Sequence, residues 1–216
     1  MEKKKPLDAE GFDLWSEKYD QDVEESDEDN RYPFAAYKAI QEELIREAQS
    51  VKGQRVLDLG IGTASLAKRL AALGYEITGV DFSEDMLEKV RQELPEARLI
   101  QADLTHGIPH ELLDDEFDLI FCNYAIHHLD LEEQLQLMVD ALELLSPHGS
   151  FFLADVMTQT REEMEALEKQ EEDIWDPDEF YPVVEEFTQR INAISSWKKM
   201  SYCSGILELK RKGQSS

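Results

Sequence analysis

The chain is poor in cysteine: Cys122 and Cys203 are alone among 216 residues. That excludes a disulfide scaffold and any cysteine-rich metal centre, and suits a reducing compartment. Basic residues are also scarce, with 22 Lys and Arg against 48 Asp and Glu and a net charge of −26 at pH 7. Residues 8–30 hold eleven acids against Lys18, and residues 161–187 hold twelve acids against Arg161 and Lys169. Neither stretch can track phosphates, so no nucleic acid partner is expected. The charge reads either as a solvated, solubility-conferring face or as a field that steers a cationic substrate. The cluster Lys210-Arg211-Lys212 is too small to reverse it. No apolar run approaches membrane-spanning length, and Met1-Glu2-Lys3-Lys4-Lys5-Pro6 has no hydrophobic stretch behind it. The expected location is therefore cytoplasmic, with no membrane partner. No Pro- or Ser-rich linker divides the chain, and its 42% hydrophobic content suffices for the core of a single domain.

What the sequence does contain is Val56-Leu57-Asp58-Leu59-Gly60-Ile61-Gly62-Thr63-Ala64, followed by Gly79-Val80-Asp81. A short apolar run that breaks into alternating glycines lets backbone amides approach a ligand, and the following helix aims its positive end at the same place. Asp81 lies 21 positions after Gly60, where the ribose-binding carboxylate of a βαβ unit belongs. The dinucleotide pattern is imperfect, because Ser65 stands where the third Gly or Ala should be. Asp58, near the end of an otherwise apolar strand, is costly unless it meets a ligand cation such as an ammonium. S-adenosylmethionine carries that ammonium and NAD does not.

Alternating strand-like and helix-like segments predict an α/β fold, Rossmann-like and doubly wound, with a mostly parallel seven-stranded sheet. Strands are expected near 54–59, 75–80, 97–101, 117–122 and 149–155, and helices near 64–73, 83–93 and 130–145. Ser83-Glu84-Asp85-Met86 is a helix start, and Ser146-Pro147-His148-Gly149 reads as a stop and turn before a strand. Tyr32 to Gln49 looks like a leading helix. After the fifth strand an acidic amphipathic stretch carries Met164, Leu167 and Ile174 at helical spacing. Segments 189–197 and 202–210 then close the chain as an antiparallel edge hairpin. The expected organisation is one domain over 1–216, with a helical lid (1–50), a cofactor-binding core (51–156), an acidic helical insertion (157–188) and C-terminal strands (189–212).

With these pieces in order, the chain resembles the class I S-adenosylmethionine-dependent methyltransferases of the small-molecule type, over roughly residues 11–210. The matching phrases are Val56 to Ala64, Gly79-Val80-Asp81-Phe82-Ser83, Gln101-Ala102-Asp103-Leu104, Phe117-Asp118-Leu119-Ile120 running into Asn123 to Leu129, and Leu144 to Ser150. Ala64 replaces the family's frequent third glycine. The resemblance implies S-adenosyl-L-methionine as cofactor, its methionine end held by Asp58 and by the Gly60 to Gly62 backbone. It places Asp81 on the ribose hydroxyls, with Phe82 and Met86 either flanking the adenine or packing the core. Asp103 and the amides of Ala102 and Leu104 would meet the adenine, although Asp81 and Asp103 could instead cap surface turns. Asn123 would line the sulfonium side through its carbonyl. The leader Phe12-Asp13-Leu14-Trp15-Ser16-Glu17-Lys18-Tyr19-Asp20 resembles the family's lid, with Tyr19 the better candidate for site contact.

Methyl transfer to an activated sulfonium carbon needs alignment more than a dedicated acid or base, so a catalytic residue need not exist. If the acceptor must lose a proton, His127, His128, Tyr19 and Asp155 are the candidates by position. No proline follows Asn123, Cys122 lies inside an apolar strand, and no cluster of acids after the fourth strand resembles a magnesium site. Amino-methylating DNA enzymes, cytosine C5 enzymes and catechol-type magnesium enzymes are thereby disfavoured. Adjacent His127 and His128 would diverge on a regular helix or strand, so no metal is expected. The acceptor is then a small molecule methylated without metal, its wall built by Trp175, Phe180 and Tyr181 unless these merely anchor a surface helix. A non-catalytic cofactor-binding protein and a nicotinamide-dependent oxidoreductase remain as alternatives.

Overall fold

In a computed structural model, Asp27 and residues 30–212 are described. Trp15 and Tyr19, expected in the lid, lie outside the described residues. Seven strands form one sheet: β1 (Arg55–Leu59), β2 (Glu76–Asp81), β3 (Arg98–Gln101), β4 (Phe117–Asn123), β5 (Leu145–Val156), β6 (Ala193–Lys199) and β7 (Ser204–Arg211). Their order is β3-β2-β1-β4-β5-β7-β6. Strands β1 to β5 run parallel, and β7 pairs antiparallel with both β5 and β6, so the C-terminal edge hairpin is as expected.

Strand periodicity sends successive side chains to opposite faces, and both faces here are covered. Val56, Phe121 and Phe152 pack on one side, against Ile40 and Leu44 of α1 (Tyr37–Ser50), Leu66 and Leu70 of α2 (Ser65–Ala72), and Leu87 and Val90 of α3 (Glu84–Glu93). Leu57, Ile120 and Phe151 pack on the other, against Leu137, Met138 and Ala141 of α4 (Leu131–Glu143). Helix starts follow the local chemistry: the Ser83 side chain accepts from the Met86 amide at 3.1 Å, and Asp130 with Glu133 forms a reciprocal cap on α4. Among the described residues no helix is long and apolar enough to cross a membrane.

Several boundaries differ from expectation, each for a local reason. The leading helix starts at Tyr37 instead of Tyr32, because Ala36 adopts φ 64° and interrupts helical geometry before it. Ser146 to Gly149 is no turn but a bulge within β5, where pairing with β4 jumps from Phe117↔Leu145 to Leu119↔Ser150. The acidic insertion holds two short helices, α5 (Arg161–Gln170) and α6 (Val184–Arg190). Met164 and Leu167 are buried on α5, whereas Ile174 lies beyond its end and is exposed.

The topology places the site. β1 sits between β2 and β4, so the loops leaving β1 and β4 diverge to opposite faces and open a crevice at the strands' carboxyl ends. The amino ends are closed by Asp118, whose Oδ2 accepts from the Gln54 and Arg55 amides at 3.0 and 3.1 Å, and whose Oδ1 accepts from Ser146 Oγ at 3.0 Å. Asp118→Ala is expected to lower stability by about 2 kcal/mol, from the loss of these partly exposed carboxylate hydrogen bonds. Cofactor affinity should stay within about twofold, because such distant sites are nearly independent. Urea midpoints and titration calorimetry on the same variant check both halves.

Candidate functional site

At the carboxyl end of β1 the chain folds back over β2: Val80 O accepts from the Gly60 amide at 2.8 Å and from the Ile61 amide at 3.0 Å. Gly60 adopts φ 79°, and a Cβ there would stand 2.4 Å from Ala125 Cβ, so only glycine fits. Asp81, at the end of β2, fixes the loop. Its Oδ2 accepts from the Gly62 amide at 2.8 Å and its Oδ1 from the Ser83 amide at 2.9 Å. The Asp81 carbonyl accepts from the Ala102 amide at 2.9 Å and so aligns the segment after β3. Ala64 keeps the left-handed backbone expected of a third glycine, at φ 56°.

Asp58 is 4% exposed at the cavity floor. Among the described residues no Lys, Arg or His pairs with it, and burial, helped by the charge of Asp81, pushes its carboxyl up to about 7. Asn123 Oδ1, at the end of β4, is buried without a hydrogen-bond partner. An uncompensated carboxyl, an unpartnered amide oxygen and a cradle that admits no Cβ are what an adenosyl amino acid with its ammonium would satisfy. The residues present therefore fit that cofactor.

One cavity of about 800 Å³ joins this cradle to a second polar cluster. Asp58, Gly60, Gly62, Asp81, Phe82, Met86, Ala102, Asp103, Leu104 and Asn123, all singled out from sequence, line it together. Asp103 also caps a turn, its Oδ1 accepting from the Thr105 amide at 2.9 Å, which is the capping alternative expected for it. A second cavity of about 580 Å³ lies at the amino ends of the strands, beside Arg55, Glu76 and Arg98, and contains none of these residues.

The second cluster is His127, His128, Asp155, Glu179 and Tyr181. His127 Nδ1 lies 2.9 Å from both carboxylate oxygens of Asp155, which is fully buried at the end of β5. Burial alone would lower the His127 imidazole, but the charge and hydrogen bond of Asp155, then Glu179 and Asp176, outweigh it and hold the group up to about 9. His128 is held below the ordinary imidazole range by desolvation and by the charge of His127, even though its ring is open to solvent along the cavity. Burial raises the Glu179 carboxyl.

The expectation that two adjacent histidines diverge fails here. They stand in a three-residue 3-10 turn, Ile126–His128, and their ring centroids are 4.2 Å apart. The expected wall is also corrected in part. Tyr181 lines the cavity, but Phe180 is half exposed and Trp175 stacks on Tyr32 at 5.5 Å behind the cavity lining. Sequence reasoning missed Phe34 and Tyr37, which pack with Tyr124 at 5.3 Å each to form an aromatic wall. The acids Asp176, Asp178 and Glu179, which the sequence interleaves with the expected wall aromatics, line the cavity as well. The acids stood in a long acidic run, and only position in the fold separates them from their solvated neighbours.

Comparison with known proteins agrees with this geometry. Residues 56–149 match the family model described as Methyltransferase domain. An uncharacterized methyltransferase from Alkaliphilus oremlandii (strain OhILAs) is 30% identical over 163 residues, covering 75% of this chain and 74% of that relative. The uncharacterized methyltransferase OB1106 from Oceanobacillus iheyensis is 28% identical over 212 residues, covering 93% and 95%. Among solved structures, the DhpI-SAM-HEP complex shares the fold, with a TM-score of 0.68 at 18% identity over 92% of this chain and 94% of that one. The chain belongs to the class I S-adenosylmethionine-dependent methyltransferases. S-adenosylmethionine is accordingly its cofactor.

Proposed function

We propose that the chain methylates a small-molecule acceptor by direct displacement, with catalysis coming mainly from positioning. The observation that carries this reading is the single cavity joining the Asp58–Gly60–Asp81 cradle to the His127–Glu179 cluster, large enough for a cofactor and a small partner side by side. S-adenosylmethionine supplies an electrophilic methyl carbon on its sulfonium when bound. Asp58 would hold its ammonium, Asp81 the ribose hydroxyls, Phe82 and Met86 the adenine faces, and Ala102, Asp103 and Leu104 the adenine edge. Asn123 would close the sulfonium side.

At the acceptor end neither of the two described histidines is a strong general base. With its imidazole held up to about 9, His127 is an imidazolium at neutral pH, a donor and not a proton acceptor. His128 is neutral but a weak base, because the charged form is disfavoured beside His127. The chain's contribution is then to orient the acceptor against His127, Glu179 and Tyr181 and to exclude water with Phe34, Tyr37 and Tyr124.

Titration calorimetry with S-adenosylmethionine, S-adenosylhomocysteine and NAD tests the reading. Both adenosyl ligands should bind the wild type and NAD should not. Asp81→Ala should weaken adenosyl binding at least about tenfold, since it removes a charged acceptor that also locks the Gly62 and Ser83 amides. Absence of adenosyl binding, or equal binding to the variant, would overturn it.

A further inference from the structure

We infer that His127, His128 and Glu179 form a binding site for one divalent first-row transition cation at the acceptor end of the cavity. The inference rests on the methyltransferase reading only for what the neighbouring part of the cavity holds. One ligand atom from each of the three residues lies within 4.8 Å of the others. Two imidazole nitrogens and one carboxylate are the donor set that suits zinc, iron, manganese or cobalt and leaves coordination positions open. The cation displaces the Nε2 proton of His127 to solvent, so the imidazolium of the metal-free chain becomes a neutral ligand.

Two of these ligands are already aimed by groups behind them. Asp155 grips His127 Nδ1, which turns Nε2 toward Glu179 Oε1 at 3.8 Å. That carboxylate-to-imidazole contact is the usual support behind a metal-bound histidine, fixing its tautomer and ring plane. Glu179 Oε2 accepts from the Tyr181 hydroxyl, leaving Oε1 on the histidine side.

The turn and the loop that carry the ligands are also tied together, although 51 residues separate His128 from Glu179. The Phe180 amide donates to the His127 carbonyl at 2.8 Å. Gln134, 1% exposed on α4, donates from its amide to the carbonyls of Leu129 at 2.8 Å, Ile126 at 3.2 Å and Phe180 at 2.5 Å. A buried amide that clamps both ligand-bearing segments holds the cluster in place without a ligand. Asp176 and Asp178 add negative charge around the cavity, and among the described residues no Lys or Arg lines it, so its field favours a cation. A cation at this point would direct its open positions into the cavity, where an acceptor bearing an oxygen or nitrogen lone pair can take one.

The competing reading is that His127 remains an imidazolium paired with Asp155 and Glu179 and binds nothing. The test is titration of the chelator-stripped full chain with cobalt(II), followed by calorimetry and visible ligand-field absorption, with S-adenosylmethionine titrated in parallel. The expected result is one equivalent of cobalt with a visible absorption band. His128→Ala and Glu179→Gln should each weaken cobalt at least about tenfold, while Asp155→Asn weakens it about 10- to 100-fold through the ring it orients. His110→Ala, at an exposed position away from the cavity, should bind cobalt like the wild type. No band and no heat with the wild type, or unchanged affinity in folded His128→Ala and Glu179→Gln, would overturn the inference. Cobalt binding without adenosyl binding would leave the metal site standing and sink the functional reading instead.

Discussion

Gly60→Val should abolish measurable S-adenosylmethionine binding and lower folding stability by about 4 kcal/mol, the sum of a left-handed backbone forced on a branched side chain and an overpacked contact. The backbone at Gly60 has φ 79°, and any Cβ collides at 2.4 Å with Ala125 Cβ. Ala125 cannot yield freely. It lies between Tyr124, itself at φ 53°, and the 3-10 turn that carries His127 and His128. Relief of the clash would push that turn, so damage to the cofactor loop would reach the acceptor end as well. Gly62 provides the control. It too has positive φ, at 50°, but the nearest atom to an added Cβ is 4.0 Å away. Gly62→Ala should therefore cost only about 1 kcal/mol from backbone strain. Equal urea midpoints for Gly60→Val and Gly62→Ala would show that the Ala125 contact is not the cause.

The cofactor half of the site was legible because its chemistry is local. A strand, a pair of glycines forced by backbone approach, and an acid at the end of the next strand all fall within 24 residues, from Asp58 to Asp81. Each constraint leaves a mark on residue type. In the second cluster His127, His128, Asp155 and Tyr181 stood out one by one, but nothing local showed that they meet. His127 meets Asp155 because β4 and β5 are neighbours, a pairing of residues 28 apart that no short pattern records. Glu179 reaches His127 because Gln134 fastens an irregular loop to a turn, and a Gln on an amphipathic helix reads as surface. Phe180 and Tyr181 looked equivalent in sequence, yet consecutive side chains of an extended segment face opposite ways. One is half exposed and the other is buried on the cavity. Adjacency of the two histidines points the wrong way for the converse reason, since neighbouring side chains diverge on a regular helix or strand but the chain makes a 3-10 turn here.

Asp58 should make cofactor affinity depend on pH, rising about tenfold for each pH step from 5 toward 7 and levelling above it. In the cofactor-free protein burial and the charge of Asp81 push this carboxyl up to about 7, so near pH 6 it is mostly protonated. An ammonium arriving beside it favours the charged form, and binding must then release the proton. The same shift sets the sign for stability without cofactor. The folded state holds a proton that the unfolded chain has released above pH 4, so between pH 4 and 7 the native state binds more protons and stability falls as pH rises. The size is on the order of 4 kcal/mol at full effect. Asp58→Asn should flatten both profiles and weaken S-adenosylmethionine about 100-fold at pH 7, the value of a lost charged pair in a desolvated site. Calorimetry between pH 5 and about 6.7, where an α-amino group with a pKa of about 7.7 to 8.0 keeps its proton, isolates the carboxyl from the ligand. Repeating it in buffers of different ionisation enthalpy counts the proton directly. Release of a proton near pH 6 by the wild type and none by Asp58→Asn is the expected outcome. A flat affinity profile for the wild type, with no proton released, would mean that the carboxyl is already ionised before the cofactor arrives, so that the ammonium pairs with it without a linked proton.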